Sequence, residues 1–209
     1  MIVIINPNST EAMTQAMLET AKPLADPIPV EAWTSHDGPP AIQGPKDGAA
    51  AVPPLMTLVA KAEDKGAQAI IIGCFDDTGL QEAQANTTCP VIGIGQAAYH
   101  MAAMLGGRFS VVTTLAVSTP ILEANIKRYG LSDRVSKVRA SGVPVLEVDK
   151  AEAKILSEIK LAATQDAIST VVLGCAGMVD LPQKARAVTP VHVIDGVRAA
   201  VCMARGLIG

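Results

Sequence analysis

Apolar residues in this chain come in short, dense runs separated by amphipathic stretches, and the alternation continues from end to end. Residues 2–5, 28–33, 69–72, 91–94, 109–113, 135–140, 170–173 and 191–194 are of strand length and rich in Ile and Val. Between them, apolar positions three or four apart predict helices over about 10–21, 53–65, 79–85, 96–105, 118–129, 150–164, 181–187 and 197–207. The clearest is 150–164, with Ile155 and Ile159 on one side and Lys154, Glu158 and Lys160 elsewhere. Ser9 or Thr10 caps the first helix, and Gly66, Gly106-Gly107 and Gly130 stop later ones. Pro53-Pro54 suits a helix's first turn, which leaves 34–52, with His36-Asp37-Gly38-Pro39-Pro40 at its front, as a long loop of the kind that often carries function. Residues 141–148 read as a looser stretch. Strands that are apolar throughout and interleaved with helices indicate an α/β fold of mainly parallel sheets, about four strands in each half.

The two halves repeat each other. The run 69–72 leads into Gly73-Cys74-Phe75-Asp76-Asp77-Thr78-Gly79-Leu80, and 170–173 leads into Gly174-Cys175-Ala176-Gly177-Met178, about half the chain later. Pro90-Val91 follows the first turn much as Pro190-Val191 follows the second, and Phe109–Thr114 with Ser118-Thr119 echoes the opening strand with Ser9-Thr10. Ligands of parallel α/β sheets bind at the carboxyl ends of strands. Asn6, Asn8, Cys74, Thr113, Thr114 and Cys175 all fall at such ends.

Composition narrows the partners. Of 209 residues, 49% are hydrophobic and 18% charged, enough for a core in one domain or two lobes. A net charge of −3 and only 2% aromatics give nucleic acid neither a basic face nor stacking platforms. No apolar run approaches the roughly 18 residues of a membrane span, and the opening residues read as a first strand rather than a signal peptide. A small-molecule ligand and a cytoplasmic location are therefore expected. Four cysteines without a Cys-x-x-Cys pair read as thiols rather than a disulfide framework. His36, His100 and His192 form no ligand spacing with each other or with a cysteine, so no metal is expected. Cys89 and Cys202 are expected to be core packing.

Cys74 and Cys175 differ from those two because each follows a glycine at a strand end and precedes a helix. Main-chain N–H groups there are expected to favour the thiolate. Two such thiols suit a nucleophile with a resolver, a redox pair, or an acid/base couple. No histidine is placed to serve a nucleophile, and a redox pair does not require symmetry. Symmetry does suit a two-base reaction, in which one thiolate takes a proton from one face of a carbon acid while the other thiol donates to the opposite face. Asp76 and Asp77 either cap the following helix or accept hydrogen bonds from substrate N–H groups. With Asn8, Thr113 and Thr114 they suit a neutral, amide-rich ring better than a carboxylate. Lys184 and Arg198, the cations nearest the second turn in sequence, read as helix surface.

At these residues the chain resembles the aspartate/glutamate/hydantoin racemase superfamily, most closely its hydantoin and allantoin racemase branch. The segments that carry the likeness are Ile5-Asn6-Pro7-Asn8-Ser9-Thr10 and the two Gly-Cys turns. The resemblance implies two pseudo-symmetric lobes, 1–97 with 196–209 and 98–195, with the active site between them. It further implies a cofactor-independent pair of catalytic bases, Cys74 and Cys175, and a homo-oligomer. Substrate oxygens would be held by main chain around Phe75, Asp76, Ala176 and Gly177, with Asn8 and Thr113 nearby. Two departures stand out: Thr78 replaces a proline found in many relatives, and the chain is short for the family, so a lid or loop is expected to be trimmed. The leading expectation is a racemase of 5-monosubstituted hydantoins. Allantoin, itself a 5-ureido hydantoin, is the runner-up, followed by a decarboxylase or maleate isomerase of the superfamily and a non-catalytic binding protein.

Overall fold

The computed structural model describes residues 1–208, and among them eight strands alternate with helices. β1 (Ile2–Asn6), β2 (Val30–Thr34), β3 (Ala69–Ile72) and β4 (Val91–Gly93) form one sheet in the order β2-β1-β3-β4. β5 (Phe109–Thr113), β6 (Val135–Ala140), β7 (Thr170–Gly174) and β8 (His192–Asp195) form a second with the equivalent order β6-β5-β7-β8. Every pairing is parallel. This is the two-sheet α/β architecture that the apolar runs indicate.

The central strands explain why those runs do not alternate. Every residue of β1, β3, β5 and β7 is buried, because helices cover both faces of each sheet. A fully buried Ile such as Ile4 or Ile71 contributes about 1.5–3 kcal/mol over its exposed state. The edge strands β2 and β6 are only half covered and carry Glu31 or Lys137.

The intervening helices are α1 (Glu11–Ala25), α2 (Pro45–Asp64), α3 (Leu80–Asn86), α4 (Ile94–Met104), α5 (Thr119–Arg128), α6 (Glu152–Gln165), α7 (Pro182–Val188) and α8 (Gly196–Ile208). Two of them cross between the sheets. α4 leaves β4 and packs on β7 and β8, while α8 leaves β8 and returns to α1 and β3, so the two helices lie against each other at the junction. One apolar cluster accordingly joins both sheets, from Ile4 and Ile71 to Val111 and Val172, with α4 and α8 inside it. All four Phe and Tyr residues meet there. Tyr99 of α4 lies 5.3 Å from the Phe75 ring, and 6.2 Å from both the Phe109 and Tyr129 rings.

Three local expectations are corrected. α2 starts at Pro45 rather than Pro53, which shortens the long loop by about two turns of helix. Gly44 takes φ +106° and Pro45 occupies the first helical turn. Pro53 and Pro54 then sit inside the helix. They are tolerated because the carbonyls left without donors belong to Ala49 and Ala50, which are exposed to water. Cys202 is exposed rather than core: α8 buries Val197, Ala200, Val201 and Ala204, and position 202 falls on the opposite side. Cys89 is half-buried beside the edge strand β4. Among the described residues no helix is long and apolar enough to cross a membrane.

Candidate active site

The carboxyl ends of β1, β3, β5 and β7 face one another and build a slot between the sheets. At the end of β1, the Asn6 side chain donates to Asn8 Oδ1 (3.0 Å) and Thr14 Oγ1 (3.0 Å), which fixes the turn that carries Asn8 to the slot. At the end of β3, the Gly73 N–H continues the ladder to the Ile5 carbonyl (2.8 Å), and Asp77 N–H closes a turn onto the Cys74 carbonyl (3.0 Å). Asp77 is non-glycine with φ +51°, and its carboxylate is clamped to hold that shape. Gly95 N–H reaches Oδ1 at 3.0 Å and the Tyr129 hydroxyl reaches Oδ2 at 2.8 Å.

The second wall repeats the plan. Thr113 Oγ1 at the end of β5 donates to the Gly174 carbonyl (3.0 Å), and Met178 N–H closes a turn onto the Cys175 carbonyl (3.1 Å). Asp76 spans the junction: Ser118 Oγ donates to its Oδ2 (3.2 Å) and Asn125 Nδ2 to its main-chain oxygen (2.8 Å). Over the mouth, Val145 N–H donates to Gln43 Oε1 (2.9 Å), tying the loop before α2 to the loop after β6.

Both thiols border the slot, as do Asn8, Phe75, Asp76, Thr113, Thr114 and Ala176. The Phe75 ring itself is buried in the aromatic cluster. Asp77 faces away, toward Gly95 and Tyr129, and Gly177 lies behind Cys175, where an added Cβ would sit 3.7 Å from Sγ. Met13, Ile42, Ser118 and Val145 complete the lining. Only Ile42 lay in a stretch marked as functional; the others carry no signal in sequence because their loops and helix starts reach the slot through tertiary packing. The cavity they border measures about 380 Å3, its opening to solvent included.

The expectation of easily formed thiolates is corrected. Burial, then the Asp76 carboxylate, pushes the Cys74 thiol well up, against a hydrogen bond with Thr78 Oγ1 (3.4 Å). Burial likewise pushes Cys175 up to about 11, opposed by Gly177 N–H and reinforced by Asp76. Exclusion of water outweighs any help from helix ends: α3 begins only at Leu80 and α7 only at Pro182, and Cys175 caps no more than the three-residue 3-10 turn Ala176–Met178. Thr78 gives Cys74 a hydroxyl partner.

The carboxylates are also shifted. Burial raises Asp76 to about 6 against the Ser118 hydroxyl, and raises Asp77 to about 7 against the bonds from Tyr129 and Gly95. A carboxyl that binds its proton more tightly when folded makes the fold more stable as pH falls from about 8 toward 4. Thermal unfolding is therefore expected at a higher temperature at pH 5 than at pH 8. Asp77→Asn, which keeps an acceptor for Gly95 N–H, is expected to flatten that slope by about half, with Asp76 supplying the remainder. A slope unchanged in Asp77→Asn would count against the clamp.

Residues 2–204 match the family described as Asp/Glu/Hydantoin racemase. A curated hydantoin racemase of Rhizobium meliloti is 43% identical over all of this chain and 88% of its own length. A second, from a Pseudomonas strain, is 35% identical over 99% of this chain and 85% of its own. The solved allantoin racemase of Pseudomonas fluorescens superposes with a TM-score of 0.94 at 33% identity, covering 99% of this chain and 90% of that one. Family match, sheet order and the facing Gly-Cys turns agree: this chain belongs to the Asp/Glu/hydantoin racemase family.

Proposed function

We propose that this isomerase racemises 5-monosubstituted hydantoins, without a cofactor, by proton transfer between Cys74 and Cys175 at the ring C5. One observation carries the choice of substrate: the slot that both thiols border has, among the described residues, no Lys, Arg or His on it. No cation stands there to pair with the carboxylate of a free amino acid. A hydantoin has no carboxylate, and its imide and amide groups match Asn8, Thr113, Thr114 and the main chain around Phe75, Asp76, Ala176 and Gly177.

The chemistry follows from that fit. One cysteine, as thiolate, removes the C5 proton, and the electron pair moves into the adjacent ring carbonyl as an enolate. Main-chain N–H groups of the two turns stabilise the developing oxyanion. The other cysteine, as thiol, protonates C5 from the opposite face and is left as thiolate. Because both thiols are pushed up in the empty site, the rate is expected to rise with pH through neutrality as thiolate accumulates. The proposal includes two lobes, 1–97 with 196–209 and 98–195, self-association, and a cytoplasmic location.

The names of the hydantoin racemase relatives support this reading. The allantoin racemase structures support allantoin as the alternative, since its ureido group is one more 5-substituent. Polarimetry on single enantiomers decides between them. Loss of rotation is expected from 5-alkyl hydantoins in preference to allantoin, because Met13, Ile42 and Val145 make part of the slot apolar. Faster racemisation of allantoin would reassign the substrate; inertness toward both would remove the proposal.

A further inference from the structure

Two spaces in the molecule share a wall. One is the slot between the thiols, and the other is an open groove between α3 and α5, bordered by Asp77, Glu82, Asn125 and Arg128. Asp76 lines both. Among the described residues it is, beside the two thiols, the one titratable side chain on the slot, since Asn8, Thr113, Thr114 and Ser118 neither gain nor lose a proton near neutral pH. Its carboxylate is steadied by Ser118 and its main chain by Asn125, which is itself held by Arg128 Nη1 (3.1 Å). The charge on Asp76 acts on Cys74 and Cys175 alike.

A two-base reaction leaves the protein in an altered protonation state. After one conversion the donor cysteine is a thiolate and the acceptor a thiol, the reverse of the starting pair. The same enantiomer cannot be processed again until the proton has moved back. Asp76, on the wall that slot and groove share, is placed to do this.

We propose that Asp76 resets the cysteine pair by carrying the proton between each thiol and the outer groove. With the slot empty, the carboxylate accepts the proton of the newly formed S–H, leaving a thiolate. The resulting carboxylic acid then gives that proton to the other thiolate, directly or through water in the groove. No charge or electron is gained or lost over the cycle. The inference rests on the two-base reading. A carboxyl that burial brings toward neutrality, against the Ser118 hydroxyl, is suited to both halves of the transfer.

Asp76→Asn keeps the shape and an acceptor for Ser118 but cannot carry a proton. Resetting the free protein limits saturated turnover, not capture of substrate by the correctly protonated form. The expected result with either hydantoin enantiomer is therefore a fall in kcat on the order of tenfold or more, with kcat/KM within about threefold. The pH profile is also expected to move to lower pH, as a negative charge beside both thiols is lost. The groups that shape this profile are Cys74 and Asp77 on the same loop, Cys175 across the slot, Tyr99 on α4, Glu82 on α3 and Arg128 on α5. In Asp76→Ala, formate is expected to restore kcat, and formamide to leave it unchanged. This second variant keeps the test decisive should the Asn variant not fold. Unchanged kcat, or equal falls in kcat and kcat/KM without formate rescue, would overturn the proposal. Racemisation of neither hydantoin nor allantoin by the unaltered protein would instead remove the two-base reading itself.

Discussion

Cys74→Ala and Cys175→Ala are each expected to lose racemisation by on the order of a thousandfold or more, the largest effect of any substitution in this chain. The two sulfurs stand on turns at the ends of β3 and β7, which belong to different sheets, and both border one slot. On the proposed two-base mechanism neither can cover for the other, because each would reach only one face of a planar ring. The variants should nevertheless retain half of the reaction. In heavy water, the remaining thiolate can remove the proton from one enantiomer and return deuterium to the same face. Each variant is therefore expected to exchange C5 hydrogen in the opposite enantiomer from the other, with rotation preserved. Proton NMR and polarimetry run together measure both quantities. Full racemisation by either variant would end the two-thiol mechanism. Unfolding temperatures should change little, since each substitution removes a single sulfur atom at the border of the slot and the alanine retains Cβ.

Gly95→Ala is expected to produce a large stability loss at a site that touches no substrate. Gly95 opens α4, and its N–H holds the Asp77 carboxylate. A Cβ there would fall onto the Phe75 main-chain oxygen and lie 2.8 Å from Asp77 Oδ2. Neither neighbour is the tip of a free side chain: one is the backbone of the Cys74 turn and the other is pinned by Tyr129. Overpacking of this kind costs about 1–3 kcal/mol. Relief by moving the turn would also displace Cys74, so racemisation should fall together with the unfolding temperature. Gly206 supplies the control. It lies in α8 with nothing near its added Cβ, so Gly206→Ala should be neutral or stabilise by up to about 1 kcal/mol. Equal behaviour of the two variants in thermal unfolding would show that the Gly95 contact does not matter.

Much of the site is legible along the chain because it lies at strand ends, where periodicity changes abruptly. The Gly-Cys turns after β3 and β7, Asn8 after β1, and Thr113 and Thr114 at and just after the end of β5 all follow apolar runs, and parallel sheets place such ends together. Met13, Val145 and Ser118 are not legible that way. They reach the slot from a helix's first turn, a short turn after β6 and the start of α5, where local pattern says nothing about direction. Thr78 was visible only as a departure from relatives, and its bond with Cys74 needed coordinates.

The thiol environment shows the limit most clearly. Glycine, cysteine and a following helix along the chain suggested a lowered thiol. In space the helices begin too far downstream, while Asp76 folds back toward both sulfurs and burial dominates. Charge effects depend on distance and on exclusion of water, and neither is a property of residue order. By contrast, eight buried apolar runs can satisfy their main-chain hydrogen bonds and cover both faces only as parallel sheets sheathed by helices. The sequence alone therefore determined the α/β class, the duplication and the pairing of two Gly-Cys turns. Tertiary structure decided that the turns border one slot, that α4 and α8 cross between the sheets, and which carboxylate stands beside the thiols, because these depend on packing between segments far apart in the chain.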